Sequence, residues 1–377
     1  MNKNLIAVAI TAAMIAPATA MAGATFYGHA QVEVTNISHE QEKEQVGASA
    51  VYVDKPTMEV ADNARGRIGM KASEDLGNGW KGLAVFEFRA DTSDGSAKDP
   101  DVNNNTKIPG LALTPREHMV GVKGGAGQFE LGRLRSAYKY TGGVKYDSLV
   151  TTSMEARGNG GMSKEKVGGK SFAQFGTSSF ISNSIGYRKG FGPVKLSFTY
   201  GPETDDGSLS ASLAYKKGGL EVFGAYVDAG DLGSATNKID YSSYKLGGKF
   251  KMGNHTFKLQ YEGLTTDKDN TTEVADADKK RSPTYTFLGY DLKMGKNVFV
   301  FQYALYDSDG QMKAVDNGAS AAGAPVAADR DYLALAIIHN MSKQTRIFAG
   351  YRDTSTDFNG DEAVISVGVR KTFKGGS

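Results

Sequence analysis

The stretch Asn254–Gly263, NHTFKLQYEG, sets Phe257, Leu259 and Tyr261 in alternation with Lys258, Gln260 and Glu262. A period of two is the side-chain repeat of an extended chain, so the segment predicts a strand with one apolar and one charged face. By itself the pattern fits a soluble sandwich, with the apolar face in a core, as well as a strand whose apolar face meets lipid. The rest of the chain has to decide between them.

The same alternation recurs throughout. ATFYGHAQVEV puts Phe26, Ala30, Val32 and Val34 against Tyr27, His29, Gln31 and Glu33. GPVKLSFTY aligns Val194, Leu196, Phe198 and Tyr200 against Lys195, Ser197 and Thr199. SYKLGGKFKM sets Tyr244, Leu246, Phe250 and Met252 against Lys245, Lys249 and Lys251. EAVISVGVRKTF sets Ile365, Val367, Val369 and Phe373 against Ser366, Gly368, Arg370 and Thr372. Sixteen such runs are predicted as strands, over 24–35, 65–74, 80–91, 115–124, 127–136, 180–189, 192–201, 207–217, 219–229, 240–251, 254–265, 282–292, 296–308, 329–340, 343–354 and 361–373. Most are longer than the five or six residues usual in soluble sheets, and they match the roughly nine to eleven that a tilted bilayer crossing needs.

Composition narrows the class. The 377 residues include no cysteine, which excludes disulfides and thiolate metal sites. Forty-four Lys and Arg against 42 Asp and Glu leave no nucleic-acid footprint, and 47 glycines with 9 prolines suit a β protein rich in tight turns. The opening MNKNLIAVAITAAMIAPATAMA has Lys3, the apolar run Leu5–Ala16 and the small-residue end Ala20-Met21-Ala22. It predicts a cleavable signal peptide over 1–22 and a single mature domain over 23–377. No later apolar run is long enough for a spanning helix, so any membrane crossing has to be made by strands.

The connections decide the fold. Seven are short: EDLGNG (74–79), GGA (124–126), GFG (190–192), KGG (217–219), MGN (252–254), MGK (294–296) and NMSK (340–343). They alternate with longer polar segments near 36–64, 92–114, 137–179, 202–206, 230–239, 266–281, 309–328 and 355–360. Short turns at one end and long loops at the other describe a transmembrane barrel, and sixteen long strands make it wide enough to be hollow. The expected fold is therefore all-β: a transmembrane antiparallel 16-stranded β-barrel with short periplasmic turns and long external loops. Phe257, Leu259 and Tyr261 then face lipid, and Lys258, Gln260 and Glu262 face water. Trp80, Phe191, Tyr215, Phe250, Phe257 and Phe373 lie beside short turns or the C-terminus, as an interfacial girdle requires.

Enzyme signatures are absent: there is no G-x-S-x-G, H-E-x-x-H or P-loop, and the five histidines have no metal-ligand spacing. Asp205/Asp206 reads as a solvated turn. DKDN (267–270), DSDG (307–310) and DFNGD (357–361) offer oxygen ligands for calcium, but none continues as an EF-hand, and loop turns are the simpler reading. No cofactor is expected. Alternation turns Arg67 and Arg89 toward the lumen, where they are expected to be part of the pore constriction. Lys71, Lys123, Lys249, Lys258, Glu262 and Arg370 are expected to line the pore, with Lys195, Glu33 and Glu87 on the same face. Bases outnumber acids there, which leans toward a weak preference for anions.

Four stretches carry a family resemblance. RGRIGMKASEDLGNGWKGLAVFEF (65–88), REHMVGVKGGAGQFELGRLRS (116–136), SNSIGYRKGFGPVKLSFTYG (182–201) and the terminal VGVRKTF resemble, in order, strands of the proteobacterial general porins. The resemblance implies a water-filled homotrimeric barrel in the outer membrane, in contact with lipid and lipopolysaccharide and passing small hydrophilic solutes and ions. It also implies a third loop, here about 137–179, folded inward to form a constriction. On that basis Arg133, the LGR arginine, projects into the constriction and Arg135 follows it. Strict alternation puts Arg133 on the Phe129/Leu131 face, so this placement assumes a local twist at Gly132. Asp147 and Glu155, on YDSLVTTSMEARG, are expected to face these arginines across the passage. Two features depart from the family pattern: Lys374–Ser377 follow the terminal Phe373, and Ser179-Phe180 stand where an arginine is usual. The rival functions are a substrate-specific channel for sugars or anions, and a secreted soluble β-rich adhesin or enzyme.

Overall fold

The computed structural model describes residues 23–39, 42–46, 49–53, 57–62, 66–93, 113–163, 166–167, 170–171, 180–202, 207–231, 238–269, 280–308, 329–356 and 361–375. The segment 1–22, expected as a signal peptide, lies outside them. Sixteen long antiparallel strands follow one another around a barrel. They are β1 (Ala24–His39), β2 (Arg67–Gly77), β3 (Trp80–Ala90), β4 (Leu113–Gly124), β5 (Gly127–Arg135), β6 (Phe180–Phe191), β7 (Val194–Gly201) and β8 (Ser208–Lys217). The circuit continues through β9 (Leu220–Asp231), β10 (Lys238–Met252), β11 (His255–Asp269), β12 (Thr284–Met294), β13 (Asn297–Asp307), β14 (Arg330–Asn340), β15 (Thr345–Thr356) and β16 (Glu362–Gly375).

Each strand pairs with its sequence neighbour, and β1 pairs with both β2 and β16, so the sheet closes on itself. At the seam Phe26 opposes Gly375 and His39 opposes Glu362. Closure is what a bilayer demands, because an unpaired backbone N–H or C=O in hydrocarbon costs several kcal/mol. Lys374 and Gly375, which follow Phe373, belong to this seam, paired with Tyr27 and Phe26.

The short turns show why glycine punctuates the sequence. Gly192, Gly218, Gly253 and Gly295 have φ of 58°, 59°, 58° and 59°, and each is followed by a residue of negative φ. A left-handed residue in first place is the type II′ signature, whose twist matches that of the flanking strands. Asn78 and Gly79, at φ 51° and 77°, form the turn with both central residues left-handed.

On β11 the two faces separate as the alternation predicts. Phe257, Leu259 and Tyr261 are 47%, 51% and 38% exposed, while Lys258, Gln260 and Glu262 on the inner face are almost fully covered. The outward row continues on neighbouring strands with Leu246, Phe250, Leu288 and Phe301. Phe191, Tyr215 and Phe373 are likewise exposed.

Three differences from expectation have local causes. Strands β10 and β11 run on to Lys238 and Asp269, because a long hairpin extends past the membrane band whenever its backbone can keep pairing. The first long connection, expected as a loop, carries a separate hairpin, Glu42–Val46 with Ser49–Val53, and a segment Thr57–Ala61 paired to β1. The lumen is also not uniformly wet: part of the inner wall is apolar and covered by the third loop, as described below.

If the exposed row faces lipid, Leu259→Arg near mid-strand should cost about 2–4 kcal/mol of folding free energy, against about 0–1 kcal/mol for Met252→Arg beside the short turn. Urea titration of the barrel refolded in lipid vesicles measures both, and equal costs would contradict the assigned depth.

Candidate functional site: a loop folded into the barrel

The third long loop leaves β5 and enters the lumen over residues 136–163. Ser136 Oγ accepts from the Lys139 amide at 3.0 Å and starts a one-turn helix, α1 (Ala137–Tyr140). Gly142 then takes φ 55° and packs so closely on Phe223 of β9 that an added Cβ would stand 2.1 Å from the ring. The loop next crosses toward the far wall, tied by polar bonds at every stage. Tyr138 Oη donates to Glu262 at 2.6 Å, and the Gly143 amide donates to Gln260 at 2.6 Å. Ser148 Oγ donates to Asp291 at 2.8 Å, and Lys258 Nζ donates to Asp291 at 2.7 Å. At the tip, the Ser153 amide and hydroxyl donate to Glu33 of β1, at 3.0 and 2.9 Å. Arg370 of β16 donates to the Val150 carbonyl at 3.3 Å and to Thr151 Oγ1. On the return, Tyr332 Oη donates to the Met154 carbonyl, and Ser163 Oγ donates to Glu262.

An apolar contact backs these bonds. Tyr146, Leu149, Met154, Ala156 and Met162 of the loop bury against Phe223, Phe287, Val300, Tyr332, Ile338 and Phe348 on the inner wall. The β9–β15 side is therefore covered, and the passage lies against the wall formed by β2–β6.

That uncovered wall is a layered charge array. Glu87 of β3 lies beneath Arg116 and Arg135, each 2.8 Å away, and Arg135 also reaches Glu117 at 3.2 Å. Arg188 pairs with Glu130 at 3.0 Å. The acids are deep, with the Glu87 side chain 2% exposed, whereas Arg135 and Arg188 are 21% exposed. Arg188, Arg135 and Lys145 stack on the Tyr140 ring at 3.8, 5.3 and 5.1 Å. The Phe180 ring receives Lys139, Arg116 and Arg133 at 4.5, 5.1 and 5.4 Å, in the cation–π range. Burial, and then the charges of Arg157 and Arg116, hold the Lys139 ammonium well below its ordinary pKa.

The expected site residues divide into two groups. Arg67, Arg133 and Arg135 stand in the cationic array. Gly132 has φ 133°, and β6 bulges between Ile181 and Ser184 opposite it, which lets Arg133 reach Ser182 Oγ at 2.6 Å and the Phe180 ring. Arg89 pairs with Arg67 across the strands and binds Asp91 at 2.8 Å. Lys71 lies exposed over Tyr27, and Lys123 and Lys249 line a cavity near the short turns. The second group needs correction. Asp147 does not face the passage: it is buried, accepting the Leu149 and Ala156 amides at 2.8 Å and Gln302 Nε2 at 2.9 Å. Glu155 is buried as well, accepting the Thr151 amide at 2.8 Å and Arg157 at 3.1 Å. A loop enclosed in a barrel must satisfy its own amides, and these carboxylates do that. Lys258, Glu262 and Arg370 face inward but serve as anchors under the loop instead of open pore surface, since an enclosed charge needs a partner.

Two contributors were missed. Arg116 has the same parity as Val120 and Val122, and only the bulge between Phe86 and Phe88 in the β3–β4 register turns it inward. Arg188 shares its parity with Ser184 and Gly186, opposite Ile185, so alternation alone could have found it. Among the described residues no group of three or more His, Cys, Asp or Glu could hold a metal. The calcium candidates at 267–270, 307–310 and 357–361 run partly outside those residues.

A family model described as Gram-negative porin matches residues 7–359. The chain belongs to the Gram-negative porin family. It is an outer-membrane β-barrel of that family, and membership in a family of channels bears out the expectation that it is not an enzyme. It is 33% identical over 144 residues to the major outer membrane protein P.IB of Neisseria meningitidis serogroup A. That match covers 38% of this chain and 37% of the relative's length, so it spans little more than a third of that protein. Against outer membrane protein U of Vibrio parahaemolyticus the identity is 25%, over 77% of this chain and 88% of the relative. The anion-selective porin of Comamonas acidovorans has the same fold, with a TM-score of 0.69 at 17% identity, over 93% of this chain and 99% of that one. OmpF of Salmonella typhi gives 0.61 at 13% identity, over 93% and 97%.

The buried loop carboxylate predicts a pH response of this porin. Burial, and secondarily the Glu155 charge, push Asp147 up from 3.8 to about 6, against the opposing bonds from Gln302, Ala156 and Leu149. A raised folded pKa means that its stabilisation of the packed loop is complete below about 3.8 and lost as pH rises through about 6. Amide exchange at Leu149 and Ala156, corrected for intrinsic rates, should therefore quicken between pH 5 and 7. Asp147→Asn should remove the step, and a step that persisted in that variant would assign it to another group.

Proposed function

We propose that this chain is a general diffusion porin, passing small hydrophilic solutes and ions passively across the outer membrane with a preference for anions. One observation carries the proposal: along the uncovered wall the carboxylates lie underneath and the guanidiniums on top. A solute in the passage meets Arg116, Arg135 and Arg188 before it meets Glu87, Glu117 or Glu130. Near a low-dielectric wall the nearest charge dominates, so the field favours anions even where each pair is formally neutral. Arg67 and Arg133 add to the same sign. The anion-selective porin of similar fold agrees with this reading.

The proposal includes export by loss of residues 1–22, contact with outer-membrane lipid and lipopolysaccharide, and assembly as a homotrimer. The wide exposed apolar belt supports both the lipid contact and the self-association, because either covers surface that water would not tolerate. The pore-constricting roles of Arg67, Arg133 and Arg135 belong to the proposal, with Arg116 and Arg188 beside them. Asp147 and Glu155 are left out of it.

Recording from detergent-purified protein in planar bilayers tests the reading. In a KCl gradient the reversal potential should have the sign of chloride preference and shrink toward zero at about 1 M salt, where the Debye length falls to about 3 Å. Arg116→Gln with Arg135→Gln should move it toward cations. Conductance steps arriving in groups of three report the trimer. A cation-signed potential in the parent protein would reject the anion preference.

A further inference from the structure

We infer that the short-turn mouth of the channel holds a binding site for compact multivalent oxyanions, which adjoins the arginine array of the constriction at Arg188 and Tyr140. The inference rests on the porin reading above. The site is a cavity of about 690 Å³ between the third loop and strands β4 to β10. Its size falls within the range of roughly 300–1,000 Å³ usual for small-ligand clefts.

Charge makes the case. Seven lining side chains are Lys or Arg and one, Glu221, is an acid. Some are already paired: Arg188 with Glu130 at 3.0 Å, and Lys249 and Lys216 with Glu221 at 3.5 and 3.9 Å. Lys123, Lys145 and Lys195 make no ion pair with any described residue, and they come from β4, the loop and β7. Burial pushes the Lys145 ammonium down to about 8, Glu221 attracts it, and Arg188 and Lys195 repel it, so an anion among them would relieve both the burial and the remaining repulsion. The floor suits the same ligand. Thr141 donates to Ser212 at 2.8 Å, and Ser197 adds a further hydroxyl within the cavity. Chelation by several ammonium groups rewards a compact ligand of charge two or more over chloride, which meets them one at a time. Inorganic phosphate, pyrophosphate and small di- or tricarboxylates share that chemistry.

The cluster is one-sided. Lys123 adjoins the turn at Gly125, Lys216 the turn at Gly218, and Lys249 the turn at Gly253. In a porin this is the periplasmic mouth. A ligand arriving there binds without first passing the constriction, whereas one from outside must pass it.

The test uses the full-length protein in planar bilayers with pyrophosphate added to one compartment. Orientation is read from Asn254→Cys, the single thiol in a cysteine-free chain, labelled with biotin and capped by streptavidin from one side. Saturable block should be several-fold more sensitive from the short-turn side. Lys145→Gln with Lys195→Gln should raise the half-blocking concentration about tenfold, or ~1.4 kcal/mol, while Arg116→Gln leaves the sidedness intact. Equal block from both sides, no block, or block indifferent to the lysine variant would overturn the site and leave the porin reading standing. Failure to open any channel in KCl would overturn both.

Discussion

Backbone hydrogen bonding in hydrocarbon is the constraint on which everything else in this molecule depends. A strand exposed to lipid cannot leave N–H and C=O groups unpaired, so the chain has to bring its first strand back to its last. The β1–β16 pairing, from Phe26 with Gly375 to His39 with Glu362, meets that demand. Once the ring is closed, alternation puts every second side chain outside, and the outside belongs to lipid. The hydrophobic surface of this protein is consequently its exterior, and its interior is left to polar chemistry.

A polar interior has to be filled selectively if it is to constrict without closing. The third loop does so by treating the two halves of the wall differently. Against β9–β15 it behaves like the core of a soluble protein, with Leu149, Met154 and Met162 packed on Phe287, Val300 and Tyr332. Buried acids such as Asp147, Glu155 and Glu262 take up its amides and hydroxyls. Against β2–β6 it leaves an open face where guanidiniums overlie carboxylates. Packing thus fixes where the loop lies, and that position decides which charges remain wet.

Much of the barrel was legible from the sequence because a period of two survives wherever one face is uniformly greasy. NHTFKLQYEG reads correctly, residue by residue, and the short turns announce themselves through glycines that must be left-handed. The site was less legible for the same reason. Alternation reports which side of the sheet a residue is on, not whether something will later cover it, so Lys258, Glu262 and Arg370 read as pore lining although the loop sits on them. It also fails at bulges, which shift parity by one, and Arg116 was lost that way. Arg133 needed the family resemblance and an irregularity at Gly132. Asp147 and Glu155 were placed on the right segment, but whether a loop carboxylate turns outward or inward depends on the amides it must satisfy, and no linear pattern records that.

The tip of the third loop is held by Glu33 and Gln31 from the first strand and by Arg370 from the last. These two strands are far apart in the chain and become neighbours only when the ring is completed. Until then the loop has its moorings on β9–β15 but lacks those that hold its tip. The gauge of the channel is therefore fixed by the same event that seals the wall, so a barrel still open at its seam has no calibrated aperture.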